Sequence, residues 1–546
     1  METPTFAVLL LVISLFYVPS IWRTFLRNRK LRSIPAAGPS GALTSYIGAL
    51  RLLFHSQEMV QEGYNKFHGS LFKIPTLTSW TIVATGGNLI DEIRRAPDDA
   101  LSSHEATKEV MILYPLVIFK AANRQSVKIL YMELTIGRNP DPFHADVIKK
   151  PLTKNIGARL ADVQDEIVTA FEDNIPATES EWTRITAYPT IMDIVCRASN
   201  RMFVGLPLCR DPDWLELNKK FTIDVAKAGH FLAFVPPALR PFAASLMRSI
   251  PNGIQRGIKH LEPLLRKRFE QEAKHGKDWP ERPNDIVTWM LEVTKERQRS
   301  VRDLVVTVLL INFAAIHTTT MSFTYVMYEL ATRPEYVKPL RDEIEAVTKE
   351  EGWSKDSIRK LRKVDSFIKE SLRLSNFTLV TMLRKALRDF TLSDGTTIPA
   401  GSTVAVPFDS VHTDAINYSD PSVFDGFRFE KLHEQDSGEN VRHEITSLGV
   451  DYVLFGNGRH ACPGRFFVAN ELKVMLAHVV MNYDVKMADG KGRPENWQFG
   501  FHRLPDRTAQ ILFRKRRAPM TTRAYFTSTL FSFLMHPQYP FLAREL

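Results

Sequence analysis

Residues 455–464 combine one cysteine with three glycines, and a long segment with an apolar face, residues 465–481, follows them. Glycine permits backbone angles and close approaches that other residues do not, so several N–H groups can converge on the sulfur of Cys462. Phe455 can cover this sulfur, and Pro463 can open the next helix, where its missing donor has no consequence. Such a loop can present a single thiolate to a metal ion and shield it from oxidation. The alternative is a structural cysteine buried in a turn before a helix.

A second group of polar side chains follows an apolar stretch, residues 304–316. His317 and three threonines beginning at Thr318 come directly after it, and such side chains are costly in a buried helix unless they are hydrogen-bonded. Ala314 and Ala315 are small, so they leave room beside the helix for a flat ligand and a bound diatomic molecule. A threonine hydroxyl can also bond back to a helical carbonyl and open a local notch. The alternative is that these hydroxyls only bond to their own helix.

A Glu-x-x-Arg pair lies on a predicted helix at residues 363–374. Glu370 and Arg373 are three residues apart, so they share one helix face and can form an ion pair. The alternative is an ordinary surface ion pair, which this spacing often produces.

Composition limits the possible functions. The chain has 546 residues and a formal charge of +10, but two clusters, residues 23–32 and 514–517, hold nearly all of the excess basic residues. The basicity is therefore local, and no binding to nucleic acid is predicted. Three cysteines, Cys196, Cys209 and Cys462, are too few for a disulfide framework and fit a reducing compartment.

The N-terminus carries a predicted membrane anchor. Residues 6–22 contain no charge and lie at the short end of the length that spans a bilayer. Glu2 precedes this segment and five basic residues follow it, which favours an uncleaved anchor over the alternative, a cleaved secretory signal. The positive-inside rule then leaves the N-terminus in the lumen and the rest of the chain in the cytosol.

The remaining chain is predicted to be mainly α-helical with a small β portion. Apolar periodicity, or the lack of glycine and proline, predicts helices at residues 157–173, 188–203, 301–333 and 465–481. Strands are predicted within residues 70–85 and 390–406. No repeat or flexible linker divides the chain, so one large domain is predicted after the anchor.

The cysteine loop resembles the heme-binding loop of cytochromes P-450, Phe-x-x-Gly-x-Arg/His-x-Cys-x-Gly. The alanine-threonine segment is similar to the family's Ala/Gly-Gly-x-Asp/Glu-Thr-Thr, whose first threonine corresponds to Thr318. Two positions depart from that pattern, because Ala315 replaces the usual glycine and His317 replaces the acid. The resemblance runs from about residue 35 to residue 517 and implies the cytochrome P-450 fold with heme b as cofactor. It therefore assigns residues 1–33 to the anchor, 34–517 to a single heme domain, and 518–546 to a tail of unknown role.

This resemblance implies roles for the residues already named. Cys462 is expected to ligate the heme iron, with Phe455 covering the thiolate side. Thr318 is expected to hold hydrogen bonds at the O₂ site, and His317 to help supply protons, since histidine can exchange protons near neutral pH.

Further implied roles concern cations and the scaffold. Three cations are expected at the heme carboxylates, and for each the alternative is a solvated side chain: His460, Arg384 and Lys149. The position of the family's tryptophan, four residues before Lys149, holds Ala145. Arg428, which lies among aromatic residues, is expected to join Glu370 and Arg373 in a buried triad with a structural role.

The implied activity is that of a monooxygenase that hydroxylates or otherwise oxidises a hydrophobic small molecule. The chain has no flavin or nicotinamide fingerprint, so electrons are expected from a separate NADPH-cytochrome P-450 reductase at the endoplasmic reticulum membrane, with Arg465 and Lys473 as docking charges. Segments near residues 34–51 and 199–213 resemble fungal members that oxidise terpenoids in secondary metabolism. Two alternatives are a heme-thiolate desaturase, isomerase or peroxide-driven catalyst, and a heme-binding protein without turnover.

Overall fold

The computed structural model describes residues 29–517, except 42, 77–78, 108–142, 235–242, 244–246, 277–278, 280, 295–299 and 437–442. The predicted anchor at residues 6–22 and the tail at residues 518–546 lie outside the described residues.

Helices dominate the described chain. In chain order they are α1 (Thr44–Phe54), α2 (Ser56–Lys66), α3 (Gly87–Arg95), α4 (Phe143–Val147), α5 (Thr153–Asn174), α6 (Ala187–Phe203), α7 (Pro212–Phe234), α8 (Ser249–His275), α9 (Ile286–Thr294), α10 (Val301–Thr332), α11 (Val337–Glu351), α12 (Lys355–Lys360), α13 (Arg362–Leu374), α14 (Phe408–His412), α15 (Arg428–Gln435) and α16 (Arg465–Asn482). A π-helical turn, Ile148–Leu152, joins α4 to α5.

The strands form small sheets. They are β1 (Leu71–Pro75), β2 (Trp80–Ala84), β3 (Leu101–Ser102), β4 (Thr183–Thr186), β5 (Val380–Ala386), β6 (Phe390–Thr391), β7 (Thr397–Ile398), β8 (Thr403–Pro407), β9 (Tyr483–Met487), β10 (Trp497–Phe499), β11 (His502–Leu504) and β12 (Gln510–Lys515). The largest sheet has the order β1-β2-β8-β5-β3, a second has the order β4-β12-β9, and two pairs, β6-β7 and β10-β11, complete the set.

Helix α10 lies at the centre of the main hydrophobic core. A capping box between Ser300 and Asp303 starts it, and it packs against α6, α7, α8 and α13. Within the described residues it is the one helix long and apolar enough to cross a membrane, yet two thirds of its most apolar window is buried inside the protein. A helix that is apolar on most sides is expected in a protein core.

The structure confirms the mainly helical class with a small β portion. The five predicted helices correspond to α5, α6, α10, α13 and α16, and the predicted strand segments correspond to β1–β2 and β6–β8. One detail was wrong: Pro463 does not open the last helix. Helix α16 begins at Arg465 with Gly464 as its N-cap, so the proline belongs to the preceding turn.

Candidate active site

The cysteine loop closes on itself. The backbone N–H of Cys462 donates to the carbonyl of Phe455 at 2.8 Å, and that of Gly456 donates to Val453 at 3.0 Å. Gly456 and Gly458 have φ of 66° and 67°, a region that glycine adopts without strain. A Cβ on Gly458 would lie 2.6 Å from the side chain of Arg94. The loop is therefore tightly constrained, and it fixes the thiol between a short turn and α16.

The thiol of Cys462 needs a positive charge to become a thiolate. Burial raises its pKa, while the N–H groups of Gly464 and Arg465 and the charge of Arg465 oppose that rise. The other two cysteines differ: Cys196 and Cys209 are fully buried, and burial raises the pKa of each to about 12. A metal ion bound at Cys462 would supply the missing charge.

Helix α10 carries an accessible stripe in its mostly buried central part. Leu310, Phe313, Ala314, His317 and Thr318 are exposed or half-buried, and their neighbours Leu309 and Ile316 are buried. The spacing of three and four residues places the stripe on one helix face. Open space thus borders the helix where the sequence predicts a flat ligand and a diatomic molecule.

The hydroxyl of Thr318 donates to the carbonyl of Ala314 at 2.7 Å. This confirms the predicted bond back to the helix. A hydroxyl has two lone pairs besides its hydrogen, so the oxygen of Thr318 can still accept a hydrogen bond from the open side.

His317 points to a different helix. Its Nε2 lies 3.2 Å from the carbonyl oxygen of Lys219 on α7. A carbonyl only accepts, so Nε2 carries the hydrogen and donates it. Burial lowers the pKa of His317, which favours the neutral imidazole.

Arg384 is a buried cation beside the cysteine loop. It lies on β5, directly after an irregularity in the pairing with β8 that includes Met382, whose φ is 52°. Bulges of this kind re-aim side chains. The guanidinium donates to the carbonyl of Leu383, no carboxylate of the described residues lies within ion-pair distance, and burial lowers its pKa to about 10.

His460 and Arg384 are near each other in the fold. The charge of Arg384 contributes to lowering the pKa of His460, although burial is the larger cause. His460 Nε2 lies 2.6 Å from Asp98 Oδ1, and Asp98 also acts on the pKa of Arg384. Sequence analysis missed Asp98, because it lies 362 residues from His460 and no local pattern connects them.

Lys149 is placed differently. It is exposed on the π-helical turn, and its neighbour Ile148 approaches the cysteine loop, since a Cβ on Gly464 would lie 3.9 Å from it. The structure therefore brings Arg384, Asp98 and His460 together, and it places Lys149 on the surface beside the loop.

The predicted triad is present and buried. Arg373 donates to Glu370 at 2.7 and 2.8 Å, and Arg428 donates to Glu370 at 3.2 Å. Arg373 also donates to the carbonyls of His412 and Pro421 at 2.5 and 2.7 Å. This confirms the structural role and excludes the alternative of a surface ion pair.

His412 extends this network to the cysteine loop, and sequence analysis missed it. Its Nδ1 lies 3.2 Å from the carbonyl of Arg373, and the N–H of Val453 donates to its Nε2 at 2.9 Å. The imidazole must therefore be neutral, and burial lowers its pKa well below the usual value. A lone histidine in a helix gives no sequence signal for this role.

The prediction that Lys473 is a docking charge was wrong. Lys473 is buried, and its Nζ forms a 2.6 Å ion pair with Asp365 of α13. Arg465 is half-buried and donates to the carbonyls of Thr446 and Cys462.

Comparisons with known proteins agree with this geometry. The family model described as "Cytochrome P450" matches residues 143–513. Cytochrome P450 monooxygenase 103 of Postia placenta is 39% identical over 521 residues, covering 94% of this chain and 99% of the relative. Cytochrome P450 monooxygenase paxQ of Penicillium paxilli is 33% identical, covering 91% and 95%. A solved cyanobacterial protein, "Retinoic acid bound cyanobacterial CYP120A1", superposes with a TM-score of 0.61 at 16% identity, covering 86% of this chain and 96% of that chain.

The chain belongs to the cytochrome P450 family and is a monooxygenase of the fungal type. Membership of this family implies that the protein uses heme b as cofactor and receives electrons from a redox partner. The described residues fit this cofactor in three respects. A single loop thiol requires a cation, a buried arginine and a histidine can meet anionic carboxylates, and an accessible stripe on α10 offers a face for a flat ring.

The triad yields the first testable prediction. In Glu370→Gln, two buried arginines lose their shared counter-charge, which should lower the free energy of unfolding by about 3–5 kcal/mol. Urea titration followed by circular dichroism measures this, and the share of protein that retains heme should fall with it.

The matched control is Glu262→Gln. Glu262 forms a 2.6 Å ion pair with Arg266 on the surface of α8, and an exposed pair contributes at most ~1 kcal/mol. Equal urea midpoints for the two variants would contradict the structural role of Glu370.

Proposed function

We propose that this protein is a membrane-bound monooxygenase that oxidises a hydrophobic small molecule, a terpenoid of fungal secondary metabolism. The accessible stripe on α10 is the observation that supports this proposal, because apolar side chains and the hydroxyl of Thr318 line the open space beside it. A site lined in this way suits a large ligand with few charges. Leu310, Phe313 and Ala314 would contact such a ligand, and no charged side chain interrupts them.

Residues around the stripe and the loop then have defined tasks. Heme, when bound, supplies the iron at which O₂ is activated. Cys462 would ligate that iron as a thiolate, and Phe455, which closes the loop onto it, would shield the sulfur from water. Thr318 would accept a hydrogen bond on the open side of α10 and hold a proton donor there.

Cations would hold the carboxylates of the cofactor. Arg384 is suited to this task, since it is buried and has no carboxylate partner among the described residues, and His460 lies close enough for the charge of Arg384 to affect its pKa. A buried arginine without such a partner is unfavourable, and a heme carboxylate would remove that penalty. The same role for Lys149, which is exposed, rests on the resemblance of its sequence segment.

Electrons would come from an NADPH-cytochrome P-450 reductase. Lys150 and Lys154 are exposed, and no acidic side chain of the described chain forms an ion pair with either of them. Ile148 places this group beside the loop that holds Cys462. Such a basic face would attract an acidic partner surface and orient it, and it replaces the docking role first expected of Lys473.

The function is tested by tracing oxygen. The protein and a reductase are expressed together in microsomes, supplied with NADPH and ¹⁸O₂, and screened with terpene scaffolds by mass spectrometry. A monooxygenase should place one labelled oxygen atom in each product of a single hydroxylation. Product without label, or product formed with peroxide alone, would support a non-oxygenating or peroxide-driven enzyme instead.

Thr318→Ala is the second arm of this experiment. Without the hydroxyl, NADPH should still be consumed, but the ratio of product to NADPH should fall and hydrogen peroxide should appear. The matched control is Thr324→Val, which removes the hydroxyl of a buried threonine six residues further along α10. Equal coupling in Thr318→Ala and the wild type would remove Thr318 from the mechanism.

Membrane attachment is supported by an exposed apolar face on α1. Leu43, Ile47, Leu50 and Phe54 are between 55% and 83% exposed and follow helical spacing, so they lie on one side. Phe54 contacts Phe499 of β10, which stacks on the exposed Trp497. We propose that the lipid bilayer covers this face, because the predicted anchor at residues 6–22 ends only about twenty residues before Leu43.

An environment-sensitive dye at residue 47 tests the attachment. In full-length Ile47→Cys in liposomes, dye emission should shift to shorter wavelengths and be quenched by nitroxides on the lipid chains. The native cysteines do not interfere, since Cys196 and Cys209 are buried and Cys462 would ligate iron. Val423→Cys, at a similarly exposed position, is the control and should show water-like, unquenched emission. An unquenched dye at residue 47 would contradict contact with lipid.

A further inference from the structure

Two polar connections join α6, α7 and α10. In the first, Trp214 of α7 donates to Asn200 of α6 at 2.8 Å, and Asn200 donates to Asn312 of α10 at 2.9 Å. In the second, Lys219 of α7 forms a 2.7 Å ion pair with Asp193 of α6.

The second connection reaches α10 through His317. The backbone carbonyl of Lys219 accepts the hydrogen bond from His317 Nε2 at 3.2 Å. Lys219 follows Trp214 by five residues, and His317 follows Asn312 by five residues, so the two connections lie roughly 7.5 Å apart along the helices. The first connection links α7 to α10 through Asn200 of α6, and the second links them directly through His317.

The connections differ in where they lie. Asn312 is fully buried, and its side chain also donates to the carbonyl of Val308 within α10. His317 is half-buried and belongs to the accessible stripe, next to Thr318. Of the two connections, only the bond of His317 therefore lies at the border of the open space, where a small displacement of α7 would change the room for a ligand.

The Nε2 atom of His317 is poorly suited to carry protons in this arrangement. Its Nε2–H donates to the carbonyl oxygen of Lys219, and a carbonyl oxygen has no proton to pass on. Burial and the nearby charge of Arg507 lower the pKa of His317, the bond to the Lys219 carbonyl opposes them, and the net shift favours the neutral form.

We propose that His317 is a positioning residue that holds α7 against α10 and thereby sets the width of the substrate pocket. This role rests on the proposed function, since it assumes that the stripe on α10 borders the substrate. In this role, the histidine that replaces the family's acid holds two helices together and does not transfer protons.

Three substitutions separate positioning from proton transfer. His317→Gln keeps an N–H that can reach the carbonyl but cannot titrate in the physiological range. His317→Asp restores the family's acid, but its carboxylate can only accept and would face the Lys219 carbonyl without a hydrogen. His317→Ala removes both properties. Thr324→Val, which removes a buried, back-bonded hydroxyl of α10, is the control for general loosening of the helix.

The first measurement is hydrogen exchange of peptides from α7 in the full-length ferric holoenzyme, which needs no substrate. Loss of one hydrogen bond should accelerate exchange after Lys219 by about fivefold in His317→Ala and His317→Asp. His317→Gln and Thr324→Val should match the wild type. Equal exchange in all variants would overturn the proposal.

The second measurement is binding of 4-phenylimidazole, followed by the Soret band. Its dissociation constant should change in His317→Ala and His317→Asp and stay unchanged in His317→Gln. NADPH-supported turnover with reductase should follow the same order. Recovery of turnover in His317→Asp but not in His317→Gln would overturn positioning and favour a proton relay. Failure of the proposed function would appear separately, as a wild-type protein that lacks the heme-thiolate spectrum.

Discussion

The carboxylate of Glu370 is shared by two buried arginines, and the position of the cysteine loop depends on this interaction. The other N–H groups of Arg373 and Arg428 donate to backbone carbonyls of the segment from His412 to Val423. His412 then accepts the N–H of Val453, two residues before Phe455. Burying these charges has a large desolvation penalty. These hydrogen bonds nevertheless fix the segment from His412 to Val423 at many points, although it has no regular sheet or helix pairing.

Two further constraints act on the same site from other directions. The bulge in β5 places Arg384 near His460, and Met382 of that bulge approaches Gly456. On α10, the back-bonded hydroxyl of Thr318 lies on an accessible stripe in a helix that is otherwise core. The chemistry of the site therefore depends on side chains from three separated parts of the chain, the cysteine loop, β5 and α10, each held by its own local structure.

Local patterns in the sequence predicted some features of the fold and the site but not others. The loop of Cys462, the Glu370–Arg373 pair and the long helix were predictable, because each depends on spacing within about ten to thirty residues. Asp98, His412 and the burial of Lys473 were not, since their partners are distant in sequence and a titratable side chain gives no sign of whether it faces solvent. The bond of His317 to Lys219 was also missed, because its acceptor is a backbone carbonyl and carries no residue-specific signal.

The most direct test of the account is the absorption spectrum of the reduced carbon monoxide complex. Purified wild-type protein should show the strongly red-shifted Soret band that a thiolate ligand produces, because the thiolate pushes electron density onto the iron. Cys462→Ser should lose that band, since a neutral hydroxyl cannot replace the thiolate. A red-shifted band that persists unchanged in Cys462→Ser would contradict the assignment of Cys462 as the ligand, and with it the central claim.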